Sequence, residues 1–158
     1  MPRLNYGSSR ASRIRIRLEN SLKYHGTTIY SKRYVMSSHP NFNRNEFACL
    51  CCGLDDVSDD LLDALQSVRD ILQSPMSISS GYRCPTHNAQ IGSRKGSSHT
   101  KGLAADILVP SSTAGFSLMR AVMLSGKFQR IGFGQKGKSL VMHLDVDKDK
   151  VQNVLWGY

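Results

Sequence analysis

Three residues in the second half of the chain carry side chains that bind zinc, and two of them stand in apolar surroundings. His99 lies in a loop rich in glycine and serine, Asp106 lies within the run Leu-Ala-Ala-Asp-Ile-Leu-Val, and His143 lies within Leu-Val-Met-His-Leu. A carboxylate inside an apolar strand is costly unless it is paired or binds a metal. Two imidazoles and one carboxylate leave a fourth tetrahedral position open for water, as a catalytic zinc requires. A single histidine is more often a surface or core residue, but the two polar residues in apolar strands together predict a zinc site formed by His99, Asp106 and His143.

Two amphipathic helices are predicted to support these residues. Ser58, followed by two aspartates, offers a capping hydroxyl and two carboxylates to the free N–H groups of a helix start. Apolar residues then recur at helical spacing as far as Leu72, and Pro75 closes the helix. A second helix is predicted over residues 112–124, with Gly126 as its stop. Its buried side is predicted to consist of Phe116, Met119, Val122 and Met123.

Short strands are predicted between and after the helices. The apolar and small residues alternate in the first of them, and the second is a continuous apolar run that a proline stops. The last two are joined by a hairpin-like connection at residues 135–138. Because strands and helices mix without strict βαβ alternation, we expect an α+β domain with a small antiparallel sheet and two main helices packed on it. The strands are predicted over residues 76–80, 103–109, 130–134 and 139–147.

The charge of the chain is concentrated in its first forty residues. The 158 residues, about the length of one domain, include 21 Lys and Arg against 12 Asp and Glu, a net charge of +9. Residues 1–40 hold eight basic residues and one acidic, whereas residues 41–158 hold thirteen and eleven. We therefore interpret residues 1–38 as a basic flexible arm that docks on a polyanionic surface, and residues 39–158 as one domain. A nucleic-acid-binding protein is the alternative that rests on the arm alone, and it predicts salt-dependent DNA binding that is lost without residues 1–38.

The hydropathy of the chain predicts neither a membrane span nor a secretory signal. No apolar run approaches the roughly 18 residues that a span needs. The bases near the N-terminus are not followed by the apolar segment of a signal peptide. We therefore expect a protein made in the cytoplasm, without a transmembrane segment. We also expect a monomer with no specific nucleic-acid partner.

Four cysteines form a group that the sequence leaves ambiguous. Cys49, Cys51 and Cys52 lie within four residues, and Cys84 lies far along the chain. A four-cysteine zinc site usually takes two cysteine pairs, each with about two to four residues between its members, and we interpret this run as lacking them. One disulfide, for example from Cys84 to Cys49 or Cys52, and four buried thiols are alternatives of at least equal weight.

The motifs around the predicted zinc ligands resemble those of a known family. Residues 80–88 read SGYRCPTHN, residues 98–106 read SHTKGLAAD, and residues 141–146 read VMHLDV. In order and spacing these segments resemble the zinc D-alanyl-D-alanine carboxypeptidase family, most of all its short peptidase-like members in phages and bacteria. The resemblance spans roughly residues 41–147. It implies a fold shared with the signalling domain of hedgehog proteins.

The resemblance also implies an activity and the roles of individual residues. It makes His99, Asp106 and His143 the Zn²⁺ ligands, and it makes Arg83 the arginine that holds a carboxylate or carbonyl of the peptide substrate. An arginine that braces the motif loop is the alternative for Arg83. The implied enzyme is a zinc metallopeptidase, a carboxypeptidase or endopeptidase of D,D- or L,D-type. It would cleave stem peptides or cross-links of bacterial peptidoglycan, as an endolysin or a cell-wall remodelling enzyme.

The resemblance further implies where such an enzyme would act. Its site of action would be the bacterial cell wall, which it would reach by phage-derived lysis or virion delivery. The basic arm over residues 1–38 would then hold it against the polyanionic wall surface.

One feature departs from the family pattern. Family members carry a general base as Glu or Asp three residues before the last ligand, or as His two residues before it, and this chain has Leu140 and Val141 there. Asp145 is the local candidate, because residues i and i+2 of a strand point to one face and its carboxylate would lie beside His143. In that role Asp145 takes a proton from water and delivers it to the leaving amine. The alternatives are a hydrogen bond from Asp145 to a ligand, an ion pair with an arginine, and, for the whole chain, a zinc-containing module that binds the wall without hydrolysis.

Overall fold

The structure is a computed structural model that describes residues 39–158, so the arm predicted over residues 1–38 lies outside the described residues. Within residues 39–158 no helix has the length and apolar character to cross a membrane. The helices and strands alternate along the chain without a fixed βαβ unit, as an α+β domain requires. They are α1 (Asp59–Leu72), β1 (Ile78–Ser80), α2 (Pro85–Gln90), β2 (Ala104–Val109), α3 (Ser112–Ser125), β3 (Arg130–Lys136), β4 (Ser139–Asp145) and β5 (Val154–Gly157), with short 3-10 helices at Arg44–Phe47 and Ser98–Lys101.

The two long helices begin and end where the sequence predicts. The Ser58 hydroxyl accepts a hydrogen bond from the Leu61 N–H at the start of α1. This bond satisfies one of the free donors of the first turn, and the two aspartates that follow face the positive end of the helix dipole. At the end of α3, Gly126 adopts the left-handed conformation (φ 62°) that stops the helix. Both helices predicted from the sequence are therefore present.

The buried side of α3 differs from the predicted one. Phe116 and Met123 are 73% and 66% exposed, so their predicted burial is wrong. The side that packs inward includes a glycine, and a Cβ added at Gly115 would lie 2.9 Å from a methyl of Val109. The close approach of α3 to the sheet decides which side of the helix is buried. The spacing of apolar residues alone does not predict this approach. The buried residues of α3 are Gly115, Leu118, Ala121 and Val122.

The five strands form one sheet in the order β1-β2-β4-β3-β5. The pairings β1–β2, β2–β4 and β3–β4 are antiparallel, which confirms the predicted fold class. β5 pairs with β3 in parallel at the edge of the sheet and was not predicted. The hairpin between β3 and β4 is tighter than predicted, because Gln135 and Lys136 pair with Leu140 and Ser139.

The sheet has an apolar face and a polar face, because core and polar residues alternate along β2 and β4. In β2, Ala105, Ile107 and Val109 belong to the hydrophobic core with the apolar residues of α1 and α3, and Asp106 has the opposite parity. In β4, Met142 and Leu144 belong to the core and His143 alternates with them. Because successive side chains of a strand point to opposite faces, the helices cover one face and the polar residues share the other. Burial of each large core side chain contributes about 1.5–3 kcal/mol, which fixes the register of the strands.

Candidate metal centre

Three ligand atoms from different elements converge on the face of the sheet opposite the helices. His99 Nε2 lies 3.2 Å from Asp106 Oδ1 and 3.2 Å from His143 Nδ1, and His143 Nδ1 lies 2.9 Å from Asp106 Oδ1. A tetrahedral zinc with bonds of about 2.0–2.2 Å places its ligand atoms about 3.3–3.6 Å apart. The three atoms therefore fit the zinc site that was predicted from the sequence, and the structure brings all three predicted ligands together.

The sheet register and a glycine turn position the ligands. Asp106 and His143 are directly opposite one another in the β2–β4 pair, so their side chains lie side by side on one face. His99 lies in the 3-10 helix Ser98–Lys101, which ends at Gly102 with φ 68°. A Cβ at Gly102 would lie 1.9 Å from the carbonyl oxygen of Asp56. The glycine is therefore required for the chain to turn from His99 into β2.

Each histidine has a partner on the ring nitrogen that faces away from the ligand atoms. His99 Nδ1 lies 2.7 Å from the Gly81 carbonyl oxygen, which only accepts hydrogen bonds. His143 Nε2 lies 3.5 Å from Asp145 Oδ2. These partners favour the proton on His99 Nδ1 and on His143 Nε2, which leaves the lone pairs of the other two nitrogens directed at the site. Such outer contacts fix the tautomer and orientation of metal-binding histidines.

Arg83 contacts the third ligand. Its Nη2 donates to Asp106 Oδ2 at 2.6 Å, and its Nε donates to the Ser80 hydroxyl at 2.9 Å. Arg83 and Asp106 are both buried, so this charge-assisted bond lies away from water. The contact corresponds to the bracing role that was the alternative for Arg83. Its role in holding a substrate stays a prediction.

Asp145 lies beside His143 but on the far side of that ring from the ligand atoms. It is 1% exposed. Its Oδ2 accepts hydrogen bonds from the Ser98 hydroxyl at 2.8 Å and from Arg130 Nε at 3.0 Å, and its Oδ1 accepts from the Asp147 N–H at 2.7 Å. These are the two alternatives that the sequence left open, contact with a ligand and an ion pair with an arginine. The general-base role of Asp145 stays a prediction that its burial and full set of partners do not favour.

The pKa shifts of two of the three ligands, Asp106 and His99, match the charge state that a zinc site needs. Burial raises the pKa of Asp106, but hydrogen bonds from His143 and His99 outweigh it and bring the pKa below its usual range. Burial lowers the pKa of His99, so its imidazole is neutral. Burial also lowers the pKa of His143, but the carboxylates of Asp106 and Asp145 outweigh it and raise the pKa. An ionised carboxylate with neutral imidazoles is the form of these side chains that binds zinc, and a bound cation takes the place of a proton on His143.

Several residues near the centre were missed by the sequence analysis. The Trp156 ring of β5 lies 5.6 Å from the His143 ring, and a Cβ at Gly132 would lie 2.8 Å from the indole. Tyr158 covers Gly134 in the same way, and burial and the charge of Asp106 raise the pKa of Tyr158 to about 12. The signal for this edge was the run Val-Leu-Trp-Gly at residues 154–157, which has the apolar and aromatic residues of a strand.

Comparison with known proteins places the chain in a family. A family model described as Peptidase M15 matches residues 40–145, which are 106 of the 158 residues and include the three ligands. A search of curated proteins finds no match. The matched region begins at the first described residues and ends at Asp145, so it contains the zinc-binding geometry described above. The chain therefore belongs to the peptidase M15 family of zinc-dependent metallopeptidases.

Proposed function

We propose that this chain is a zinc peptidase that cleaves the stem peptides or cross-links of bacterial peptidoglycan. The observation that carries the proposal is the convergence of His99 Nε2, Asp106 Oδ1 and His143 Nδ1 within 3.2 Å of one another. The substrate class is inferred from the resemblance of the motifs to the D-alanyl-D-alanine carboxypeptidase family. Cleavage within a cross-link and removal of a terminal residue are both compatible with this site.

The site has the composition of a catalytic zinc centre. Two imidazoles and one carboxylate would hold the ion, and this set of three protein ligands is typical of catalytic zinc. A zinc ion held there supplies Lewis acidity toward water and toward a peptide carbonyl. The structural sites of zinc proteins instead use four protein ligands.

The surrounding residues hold the ligands in their binding forms. The hydrogen bond from Arg83 fixes Asp106 Oδ2, so that Oδ1 is directed at the site. The Gly81 carbonyl holds a proton on His99 Nδ1. Asp145 holds a proton on His143 Nε2 and is itself fixed by Arg130. We assign Arg83 and Asp145 as positioning residues, because each one acts through a ligand.

Digestion of purified peptidoglycan tests the proposal. The zinc-loaded wild type is expected to release muropeptides with new peptide ends, detected by mass spectrometry, and His143→Ala is expected to release none. Leu140→Ala is the matched control, because Leu140 lies in the same strand, is half-exposed and contributes no ligand. Equal digestion by wild type and His143→Ala would refute the catalytic assignment.

A specific observation favours a second candidate function, a zinc-containing module that binds the wall without hydrolysis. The positions where family members carry a general base hold Leu140 and Val141, and Val141 is buried. Neither side chain accepts a proton. This candidate predicts that zinc-loaded wild type sediments with purified cell walls and leaves every muropeptide intact. New peptide ends in that digest would exclude it.

A further inference from the structure

The four cysteines lie together in space, away from the centre described above. The sulfur atoms of Cys49, Cys51, Cys52 and Cys84 all lie within 4.8 Å of one another, and the Cys51 and Cys84 sulfurs are 3.6 Å apart. A zinc ion with four thiolates at about 2.3 Å places its sulfurs about 3.8 Å apart. We propose that these residues form a second, structural zinc site, which is distinct from the site of His99 and its partners.

A tight loop brings three of the sulfurs to one side. Cys49 and Cys52 have two residues between them and form one such pair, so the run lacks only the second pair of the usual arrangement. The Cys49 N–H donates to the Leu54 carbonyl at 2.7 Å, and the Gly53 N–H donates to the Cys49 carbonyl at 2.8 Å. Gly53 has φ 72°, a conformation that glycine adopts without strain. The loop is therefore closed by its own backbone around the sulfurs.

Hydrogen-bond donors surround the sulfurs. The Cys84 N–H lies 3.4 Å from the Cys49 sulfur, and the His87 N–H lies 3.4 Å from the Cys84 sulfur. His87 Nδ1 lies 3.3 Å from the Cys49 sulfur. The two backbone N–H donors would stabilise the negative charge of metal-bound thiolates, and His87 Nδ1 would do so in the tautomer that carries its proton there. His87 therefore contacts the cysteine group rather than the centre of His99, Asp106 and His143.

The number and closeness of the sulfurs favour a metal over a disulfide. A disulfide joins two sulfurs and leaves the other two cysteines without a reason to converge. Four sulfurs at mutual distances below 4.8 Å match a tetrahedral thiolate set, and soft ligands in that arrangement select zinc among the common divalent ions. Cys51 and Cys52 are exposed, so an ion can reach the site from solvent.

The proposed site would connect two segments on which the catalytic centre depends. Three of its cysteines lie in the segment 49–54, and Cys84 follows the loop that carries Gly81 and Arg83. Gly81 contacts His99 and Arg83 contacts Asp106. The two segments already touch where the Cys84 N–H lies 3.4 Å from the Cys49 sulfur, and the loop also packs on the residues just before the first segment, since a Cβ at Gly81 would lie 2.5 Å from the Phe47 backbone. A metal bound by the cysteines would hold the loop of Gly81 and Arg83 against the segment 49–54.

Metal analysis of the full chain, purified under reducing conditions, tests the proposal. We expect two zinc ions per chain in the wild type by elemental analysis, and one in His143→Ala and in Cys84→Ser. X-ray absorption of His143→Ala is expected to show sulfur at about 2.3 Å, and that of Cys84→Ser only nitrogen and oxygen at about 2.0–2.2 Å. Leu50→Ala, an exposed change in the same loop, is the matched control and is expected to keep both ions.

Three results would overturn the proposal. The first is a single zinc ion in the wild type that His143→Ala removes. The second is an absence of sulfur neighbours around the metal of His143→Ala. The third is a disulfide between any two of the four cysteines in the reduced preparation. If Cys84→Ser does not fold, Cys51→Ser gives the same reading, because Cys51 is exposed and outside the core. Two zinc ions in the wild type, together with loss of peptidase activity in His143→Ala, would support each zinc site by a separate measurement.

Discussion

Asp145 either positions His143 or acts as the general base, and the Asp145→Asn variant distinguishes the two roles. The substitution removes the charge of the side chain and keeps its shape. Arg130 Nε and the Ser98 hydroxyl would then bond a neutral amide, and His143 Nε2 would lose the carboxylate 3.5 Å away. Loss of an outer contact to a metal-binding histidine lowers metal affinity by about 10–100-fold, or about 1.4–2.8 kcal/mol. The weakened buried hydrogen bonds are expected to lower the free energy of unfolding by about 1–3 kcal/mol.

The assay measures muropeptide cleavage by Asp145→Asn as a function of free zinc, set with a chelator buffer. If Asp145 positions His143, the variant needs about 10–100-fold more free zinc and then cleaves at a rate close to that of the wild type. Asp149→Asn is the matched control, because Asp149 is an exposed carboxylate that contacts Lys101 and not the centre. It is expected to behave as the wild type in both zinc affinity and rate.

The opposite outcome would refute the positioning role. Loss of a general base lowers the rate by about 10²–10⁴-fold even when zinc is saturating. If Asp145→Asn binds zinc as the wild type does and its rate falls by that factor, Asp145 is the base that was predicted from the sequence.

Three further predictions concern other parts of the chain. Arg83→Met leaves the Asp106 carboxylate buried without its cation, so the free energy of unfolding without metal should fall by about 3–5 kcal/mol in denaturant titrations, and an unchanged midpoint would contradict the Arg83–Asp106 contact. Gly132→Val forces the Trp156 ring away from His143, and because Trp156 is the single tryptophan, its fluorescence spectrum should shift; an unchanged spectrum would contradict the packing of β5. Replacing the three arginines of residues 13–17 with glutamine should weaken binding to isolated cell walls at low salt and leave cleavage of soluble muropeptides unchanged, whereas equal wall binding would exclude the arm as the anchor.

The ligands could be predicted from the sequence because they break its pattern. Asp106 and His143 are polar residues within apolar strands, and such exceptions indicate function when nothing else would stabilise them. The start of α1 could also be predicted, because Ser58 is a local capping signal that needs no tertiary information. The family resemblance added the roles of these residues, and the match to Peptidase M15 confirms the family.

The features that were missed depend on tertiary contacts. The position of Gly115 decides which side of α3 is buried, because the glycine lets the helix approach Val109. A count of apolar residues does not include such a glycine. The pairing of β5 with β3 joins residues more than twenty positions apart, so no local pattern predicts it. Two partners of Asp145, Ser98 and Arg130, come from separate segments distant in the chain, which is why the sequence left its role open.

Hydrolysis of wall peptides is proposed to take place at the centre of His99, Asp106 and His143. The most direct measurement is digestion of purified peptidoglycan in water enriched in heavy oxygen, followed by mass spectrometry of the muropeptides. Zinc-loaded wild type is expected to place one heavy oxygen atom in each new carboxyl end, and His143→Ala is expected to create none. Intact muropeptides after incubation with zinc-loaded wild type would contradict the proposal that this chain is a peptidoglycan peptidase.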